Sequence, residues 1–270
     1  MDLNLTQEGV LVVGAAHGIG HAIAVEFATE GCHVVLADID SRILTVAETM
    51  SRDFPDSVIR GVVLDATDSN ATSQLATSIG EYVQALHHVI YAAGAGSGKY
   101  GFPFWNMEPQ DWKKVLDVNL LGAVNVAHAF APVLRAHEHG SLLFIASIAA
   151  QMGSQTDPPY SAAKAALINF MQVVAKDLAP FHIRANAISP GMIQTTLNRG
   201  VWQAWYDQQP EESRMDYEQW GAEKIKKLCP LQRWQSPRDI AQAAVFLASK
   251  AAENITGQTL NVDGGIIMHS

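Results

Sequence analysis

Val10-Leu11-Val12-Val13-Gly14-Ala15-Ala16-His17-Gly18-Ile19-Gly20 is an apolar, β-branched run that closes on three glycines and passes straight into the pattern Ala22-Ile23-Ala24-Val25-Glu26-Phe27-Ala28. It reads as strand, tight turn and helix. Glycines let a backbone turn sharply and approach a diphosphate, whose charge is favoured by the free N–H groups at a helix N-terminus. The run therefore predicts a dinucleotide site at Gly14, His17, Gly18, Ile19 and Gly20. A second apolar run, Val34-Val35-Leu36-Ala37, ends in Asp38 about 20 residues after the glycines, where a carboxylate can bond ribose hydroxyls. A turn can be merely a turn and Asp38 merely a polar strand end, but their spacing favours reading them together.

Outward from this unit, strand-like runs at 58–64, 88–92, 142–146, 183–188 and 259–262 alternate with longer helical patterns. That rhythm predicts an α/β chain: a doubly wound Rossmann-type parallel sheet with helices on both faces, in one domain spanning 1–270. Residues 197–228 break the rhythm, because strand signals vanish there while aromatics and charges crowd together. The chain has 270 residues, 48% of them hydrophobic, enough for a large core. A net charge of −9 without a basic tail or basic helix argues against nucleic acid or an anionic membrane as partner. No basic segment precedes an apolar one at the N-terminus, Met1-Asp2-Leu3-Asn4, and no apolar run approaches the ~18 residues of a membrane span. A cytoplasmic protein acting on small molecules is the expectation. Cys32 and Cys229 have neither metal-ligand nor redox spacing.

Tyr160 and Lys164 lie four apart, at the head of a helical stretch running to residue 178, so both side chains share one face. An ammonium beside a phenol favours the phenolate. At ~4 Å and an effective dielectric of ~20 the attraction is of order 4 kcal/mol, roughly three pK units, enough to bring a phenol toward neutrality as a proton-transfer group. An amphipathic helix carries such pairs on a wet face as well, and the match gains meaning only beside the rest of the chain.

Together these residues resemble the short-chain dehydrogenase/reductase family over nearly the whole chain. Gly14-x-x-x-Gly18-x-Gly20 has that family's glycine spacing, and further matches follow in order: Asp65 with Ala66, Ala93-Gly94, Asn119 in Val118-Asn119-Leu120-Leu121-Gly122, Ser147, Tyr160, Lys164, Pro190-Gly191 with Ile193 and Thr195, and Val262-Asp263-Gly264-Gly265. The resemblance implies a catalytic set of Asn119, Ser147, Tyr160 and Lys164. Tyr160 would be the acid/base group, and Ser147 would bond the substrate oxygen and the Tyr160 hydroxyl. Lys164 would lower the tyrosine pKa and bond the nicotinamide ribose, and the Asn119 carbonyl would hold a water that extends the proton path. Asp65 would contact adenine and Thr195 the carboxamide. It implies a homotetramer too, joined through the helices that hold Asn119 and Tyr160. Two departures stand out: Tyr91-Ala92-Ala93-Gly94 replaces the usual Asn-Asn-Ala-Gly, so any bonds from those two Asn side chains must be replaced or missing, and Val13 replaces a common Thr or Ser.

Asp38 followed by Ile39 favours the free ribose diol of NAD over NADP, and NAD favours oxidation; His17 and Arg42 are the nearby groups that could accommodate a phosphate. In this family residues 197–228 would form a lid over the substrate. There Trp202, Trp205, Tyr206, Tyr217 and Trp220 suit stacking on a sugar or polyol ring, or else pack the lid or a subunit contact. The reading is thus an NAD-dependent oxidoreductase of a secondary alcohol, sugar or polyol favoured. The rivals are a 3-oxoacyl or cyclic/steroid ketone reductase and, in another class, a non-catalytic NAD-binding sensor. His87-His88 and His137-Glu138-His139 look like ligand clusters, yet no third ligand is placed by spacing, and the second run fits a helix end before Gly140. No metal is expected.

Overall fold

A computed structural model describes residues 3–137 and 139–268; Met1, Asp2, the Glu138 of the His137-Glu138-His139 run, His269 and Ser270 lie outside the described residues. Seven parallel strands form one sheet in the order β3-β2-β1-β4-β5-β6-β7. The first three units are β1 (Gly9–Val13), α1 (Gly18–Thr29), β2 (His33–Asp38), α2 (Ile43–Asp53), β3 (Ile59–Val63) and α3 (Ser69–Ser78). Then come β4 (Leu86–Tyr91), α4 (Pro109–Leu116), α5 (Gly122–Leu134), β5 (Gly140–Ile145), α6 (Ala149–Met152), α7 (Pro158–Leu178) and β6 (Ile183–Pro190). The chain closes with α8 (Thr196–Tyr206), α9 (Tyr217–Leu228), α10 (Pro237–Ala248) and β7 (Thr259–Val262).

Strands covered on both faces need apolar residues at every position, and β1 shows how these are shared out. Leu11 and Val13 face a core that holds Leu75, Phe130, Leu167 and Met171 of α3, α5 and α7. Val10 and Val12 face the other core, with Phe27, Ile43, Met50 and Val245 of α1, α2 and α10. Side chains two apart share a face, so one slip of register would exchange the two cores. Each buried Leu or Val contributes roughly 1.5–3 kcal/mol, and this sets the register.

Val13 pairs with Ala37 on one side and Tyr91 on the other, so β1 lies where the strand order reverses. A crevice opens beyond the carboxyl ends of strands at such a point. The helix after β1 begins at Gly18, inside the glycine motif and four residues earlier than the apolar pattern suggests.

Residues Pro109–Leu134 run as one helical stretch that is long and apolar enough by composition to cross a membrane, contrary to the sequence expectation. It is a core helix: Val115, Ala123, Val126, Phe130 and Leu134 are buried, and Asn125 donates to the carbonyl oxygens of Ala66 and Thr67. Its middle, Asp117–Leu121, widens into a π turn. Asn119, expected in regular helix, sits in that turn, the kind of irregularity that often marks a functional site.

Candidate active site

A cavity of about 930 Å³ occupies the crevice. Its floor is the glycine turn. Gly14 has φ +88°, and a Cβ there would come within 2.5 Å of the Ala93 nitrogen, so the close approach of the first turn to β4 demands glycine. Gly18, at φ +62°, faces open space, the nearest atom to a built Cβ being Thr195 Cγ2 at 4.0 Å. His17 makes no side-chain cap and the first turn of α1 has no acid, so its N–H groups stay available to an anion. Ile19 and Gly20 complete this wall.

Asp38 ends β2 on the same rim. Its carboxylate accepts from the backbone N–H of Ala16 at 2.9 Å and of Asp40 at 3.0 Å, which ties the glycine turn to the strand end. Ile39 beside it is 66% exposed and leaves the rim uncharged. Arg42 is held by Asp40 through Nε at 2.8 Å, so the nearest guanidinium is already paired and brings a second carboxylate with it. Asp65 and Ala66 line the far end, the Asp65 carboxylate closing a turn with Thr67.

Opposite the glycines, β5 and α7 bring Ser147, Tyr160 and Lys164 to one wall. Asp157 caps α7, accepting from the Tyr160 N–H, and Pro158 and Pro159 open the helix, so Tyr160 enters on its first turn. This cap was legible in Asp-Pro-Pro but was not read as part of the site. Burial pushes the Asp157 carboxyl upward against a hydrogen bond of 2.8 Å from the Ser97 N–H.

The expected Coulomb pairing of Tyr160 and Lys164 is not what the geometry gives. The Lys164 ammonium lies 5.6 Å from the centre of the Tyr160 ring and donates instead to the Ile145 carbonyl oxygen at 2.8 Å. Burial pushes the phenol up to about 12, opposed by a hydrogen bond with Ser147. Burial likewise drags Lys164, 2% exposed, down to about 7. Desolvation disfavours both charged forms and outweighs their attraction at this separation. Without a cofactor the tyrosine holds its proton, and the lysine is poised to gain or lose one near neutrality.

Asn119 stands behind this wall, fully buried and outside the cavity lining. Its amide donates to the carbonyl oxygens of Ala95 at 2.7 Å and Val115 at 2.9 Å, which leaves Oδ1 buried without a partner. A Cβ on Gly94 would come 3.1 Å from that oxygen and 3.5 Å from Lys164 Nζ. Only glycine fits that gap beside the orphaned acceptor, since any side chain at position 94 would crowd it. With the free α1 N-terminus and Asp38, these residues fit a nicotinamide dinucleotide. Ala93 and Gly94 line the same cavity and would hold the dinucleotide, as would Pro190, Gly191, Ile193 and Thr195 from the other side, Thr195 capping α8 through a bond from the Asn198 N–H at 3.2 Å.

The aromatics of residues 197–228 are placed otherwise than the stacking expectation held. Trp202 and Trp205 do not line the cavity; they pack around Tyr217 and Trp220 in a small core of their own with Met192, Ile225 and Cys229. Trp202 donates to the Met215 carbonyl oxygen at 3.1 Å. Of those aromatics only Trp220 lines the cavity, with Met192, Asn198, Lys224 and Leu228. Sequence reading missed Lys224, for which a helical charge pattern gave no signal.

The histidines gather at the opposite end of the sheet. His88 Nε2 lies 2.6 Å and His139 Nε2 3.1 Å from the Glu8 carboxylate, with the His87 ring stacked on His139. Because α5 stops at Leu134, His137 and His139 do not end a helix as expected; they lie in the turn before β5. Among the described residues no group of His, Cys, Asp or Glu is arranged to hold a metal. Cys32 and Cys229 are both free and buried.

A family described as Enoyl-(Acyl carrier protein) reductase matches residues 14–267. The chain is 30% identical to the 3-oxoacyl-(acyl-carrier-protein) reductase of Thermotoga maritima, over 96% of this chain and 97% of that one. It is 31% identical to the NAD-dependent glycerol dehydrogenase of Listeria innocua, over 98% and 95%. Among solved structures, L-sorbose reductase of Gluconobacter frateurii, complexed with NADPH and L-sorbose, superimposes with a TM-score of 0.89 at 26% identity, covering all of both chains. Aldohexose dehydrogenase of Thermoplasma acidophilum gives 0.83 at 28% identity, over 99% and 96%.

Proposed function

The chain belongs to the short-chain dehydrogenase/reductase family, NAD(P)-dependent oxidoreductases that act on CH–OH groups, and we propose that it transfers hydride between NAD and a secondary alcohol, with sugars or polyols the favoured substrates. The observation that carries this reading is the convergence of Ser147, Tyr160 and Lys164 on one wall of a cavity whose other rim is Asp38. Bound nicotinamide would supply the hydride acceptor. Tyr160 takes or gives the proton at the alcohol oxygen, and Ser147, bonded to the phenol, orients that oxygen. Lys164, near its midpoint at neutral pH, holds or releases a proton, and Asn119 stands behind it.

Asp38 at the cavity rim, and an Arg42 already paired with Asp40, support NAD over NADP. They also weigh against a reductase drawing on NADPH, and so against the 3-oxoacyl reading to the extent that it needs that cofactor. Sugar and polyol substrates are supported by the sorbose, aldohexose and glycerol enzymes, and by Ser154, Gln155, Thr156 and Asn198 in the lining; Trp202 and Trp205 lend no support. A non-catalytic sensor has no need of Ser147, Tyr160, Lys164 and Asn119 together. Free buried cysteines suit a cytoplasmic location. Apolar Ala162, Ala165 and Val173 on the outer face of α7 suit a homotetramer, which light scattering would test.

The test is NADH absorbance with NAD and a panel of polyols, sugars, cyclic alcohols and 3-hydroxyacyl thioesters. Tyr160→Phe should keep NAD binding and lose a factor of order 10² or more in turnover. Near-normal turnover in that variant would overturn the assignment.

A further inference from the structure

α9 lines the cavity with Trp220 and Lys224, and neither side chain's N–H donor has an acceptor among the described residues. Trp220 and Lys224 lie four apart on one helical face, the Lys224 ammonium 4.6 Å above the indole. Gly221 fixes how that face is turned: a Cβ there would come 2.2 Å from Trp234 Cζ2, so the helix lies flush against that ring. Trp220 Nε1 is buried with no partner, and Lys224 forms no ion pair or hydrogen bond among the described residues. Burial lowers the lysine's pKa.

A half-buried ammonium left over an indole is costly when no anion answers it, and a methionine would pack the same space without that cost. A neutral hydroxyl would satisfy one donor but not the charge. The remaining acids in the lining are committed elsewhere: Asp157 to the N-terminus of α7, Asp38 to the glycine turn, and Asp65 to its own turn. Lys114, exposed, is a further cation on the cavity wall. In a chain of net charge −9, two such cations set a local potential opposite to that of the whole.

We propose that Lys224 and Trp220 form the subsite for an oxyanion of the substrate, a carboxylate or phosphate, so that the natural substrate is a polyhydroxylated compound that carries an acid group. This rests on the reading of the cavity as an NAD-dependent alcohol site and adds to it the chemical class of the far end of the substrate. The same donors could instead meet the diphosphate of the cofactor, and the experiment separates the two.

Calorimetry of the enzyme–NADH complex, which cannot oxidise an alcohol, compares D-gluconate, D-gluconate 6-phosphate and 3-hydroxybutyrate with neutral sorbitol and glycerol. At least one oxyanion should bind with Kd below ~10 mM and tenfold or more tighter than its neutral counterpart. Lys224→Met should abolish that advantage, Lys224→Arg should retain most of it, and the Kd of NADH should be unchanged in both, which also shows that they fold. Equal affinity for acids and neutral polyols, or an advantage that survives Lys224→Met, would overturn the proposal. A rise in the Kd of NADH in Lys224→Met would overturn it too, by giving the donors to the cofactor. Failure of the native protein to bind NADH at all would instead remove the underlying reading of the cavity, and this inference with it.

Discussion

The phenol of Tyr91 donates its hydrogen bond to the backbone carbonyl of Val118, the residue before Asn119. It lies at the end of β4, is 1% exposed, and occupies space that a side chain on Gly122 would take, since a Cβ there would come 2.3 Å from Tyr91 Oη. Tyr91 stands where the family resemblance leads one to expect Asn, and its phenol supplies a bond of its own. A longer side chain crosses from the sheet and clamps the π turn that presents Asn119, with Gly122 making room.

Tyr91→Phe should therefore leave the Val118 carbonyl unsatisfied and cost about 1–3 kcal/mol of stability, read as a lower Tm. Because the turn positions Asn119, kcat should fall more than NAD affinity. Unchanged Tm and kcat together would show the clamp to be dispensable.

Lys164 exacts a stability cost whose pH dependence has a definite sign. Its folded pKa of about 7 is below the unfolded value, so between these the unfolded chain binds the extra proton. Stability should fall as pH drops from about 10.5 to about 7, by up to ~1.4 kcal/mol per pH unit, and stay level below. Lys164→Met removes that titration. The Tm advantage of the cofactor-free variant should grow as pH falls from 10 toward 7 and then hold, while its activity is lost. A Tm difference independent of pH over ~7–10 would refute the assignment.

Asp38 accepts from the backbone N–H groups of Ala16 and Asp40, and under the proposed function it would bond the ribose as well. Asp38→Ala should narrow the preference for NAD over NADP in kcat/KM by a factor of 10 or more, ~1.4 kcal/mol, and lower Tm. Asp38→Asn, which can keep an accepting oxygen at the turn, should lose selectivity with a smaller loss of Tm. A native preference for NADP would refute this reading of Asp38.

Trp205 packs against Trp220 in the core of residues 197–228, with ring centres 6.4 Å apart. Half-buried there, it should cost on the order of 2 kcal/mol on replacement by Ala, felt as faster proteolysis within this segment. KM should rise for every substrate alike, whatever its ring. A selective loss toward sugars with unchanged proteolysis would restore it as a stacking surface.

What the sequence determined by itself is what depends on neighbours along the chain. The apolar run Val10–Val13, the glycines at 14, 18 and 20, the distance to Asp38 and the four-residue step from Tyr160 to Lys164 are local geometry, and the strand, the turn, the second strand's end and the helix face lie where that pattern put them. Tertiary structure alone decided what depends on distance and solvent between remote parts. The i, i+4 step places Lys164 beside Tyr160, but only packing against β5 supplies the Ile145 carbonyl and removes the water, which drives the two pKa values apart. A tryptophan at position 202 or 205 looks the same in sequence whether it meets a sugar or Tyr217. The docking of α8 on α9 turns it inward, because burying an indole against other rings removes more apolar surface from water than leaving it at a wet cavity wall.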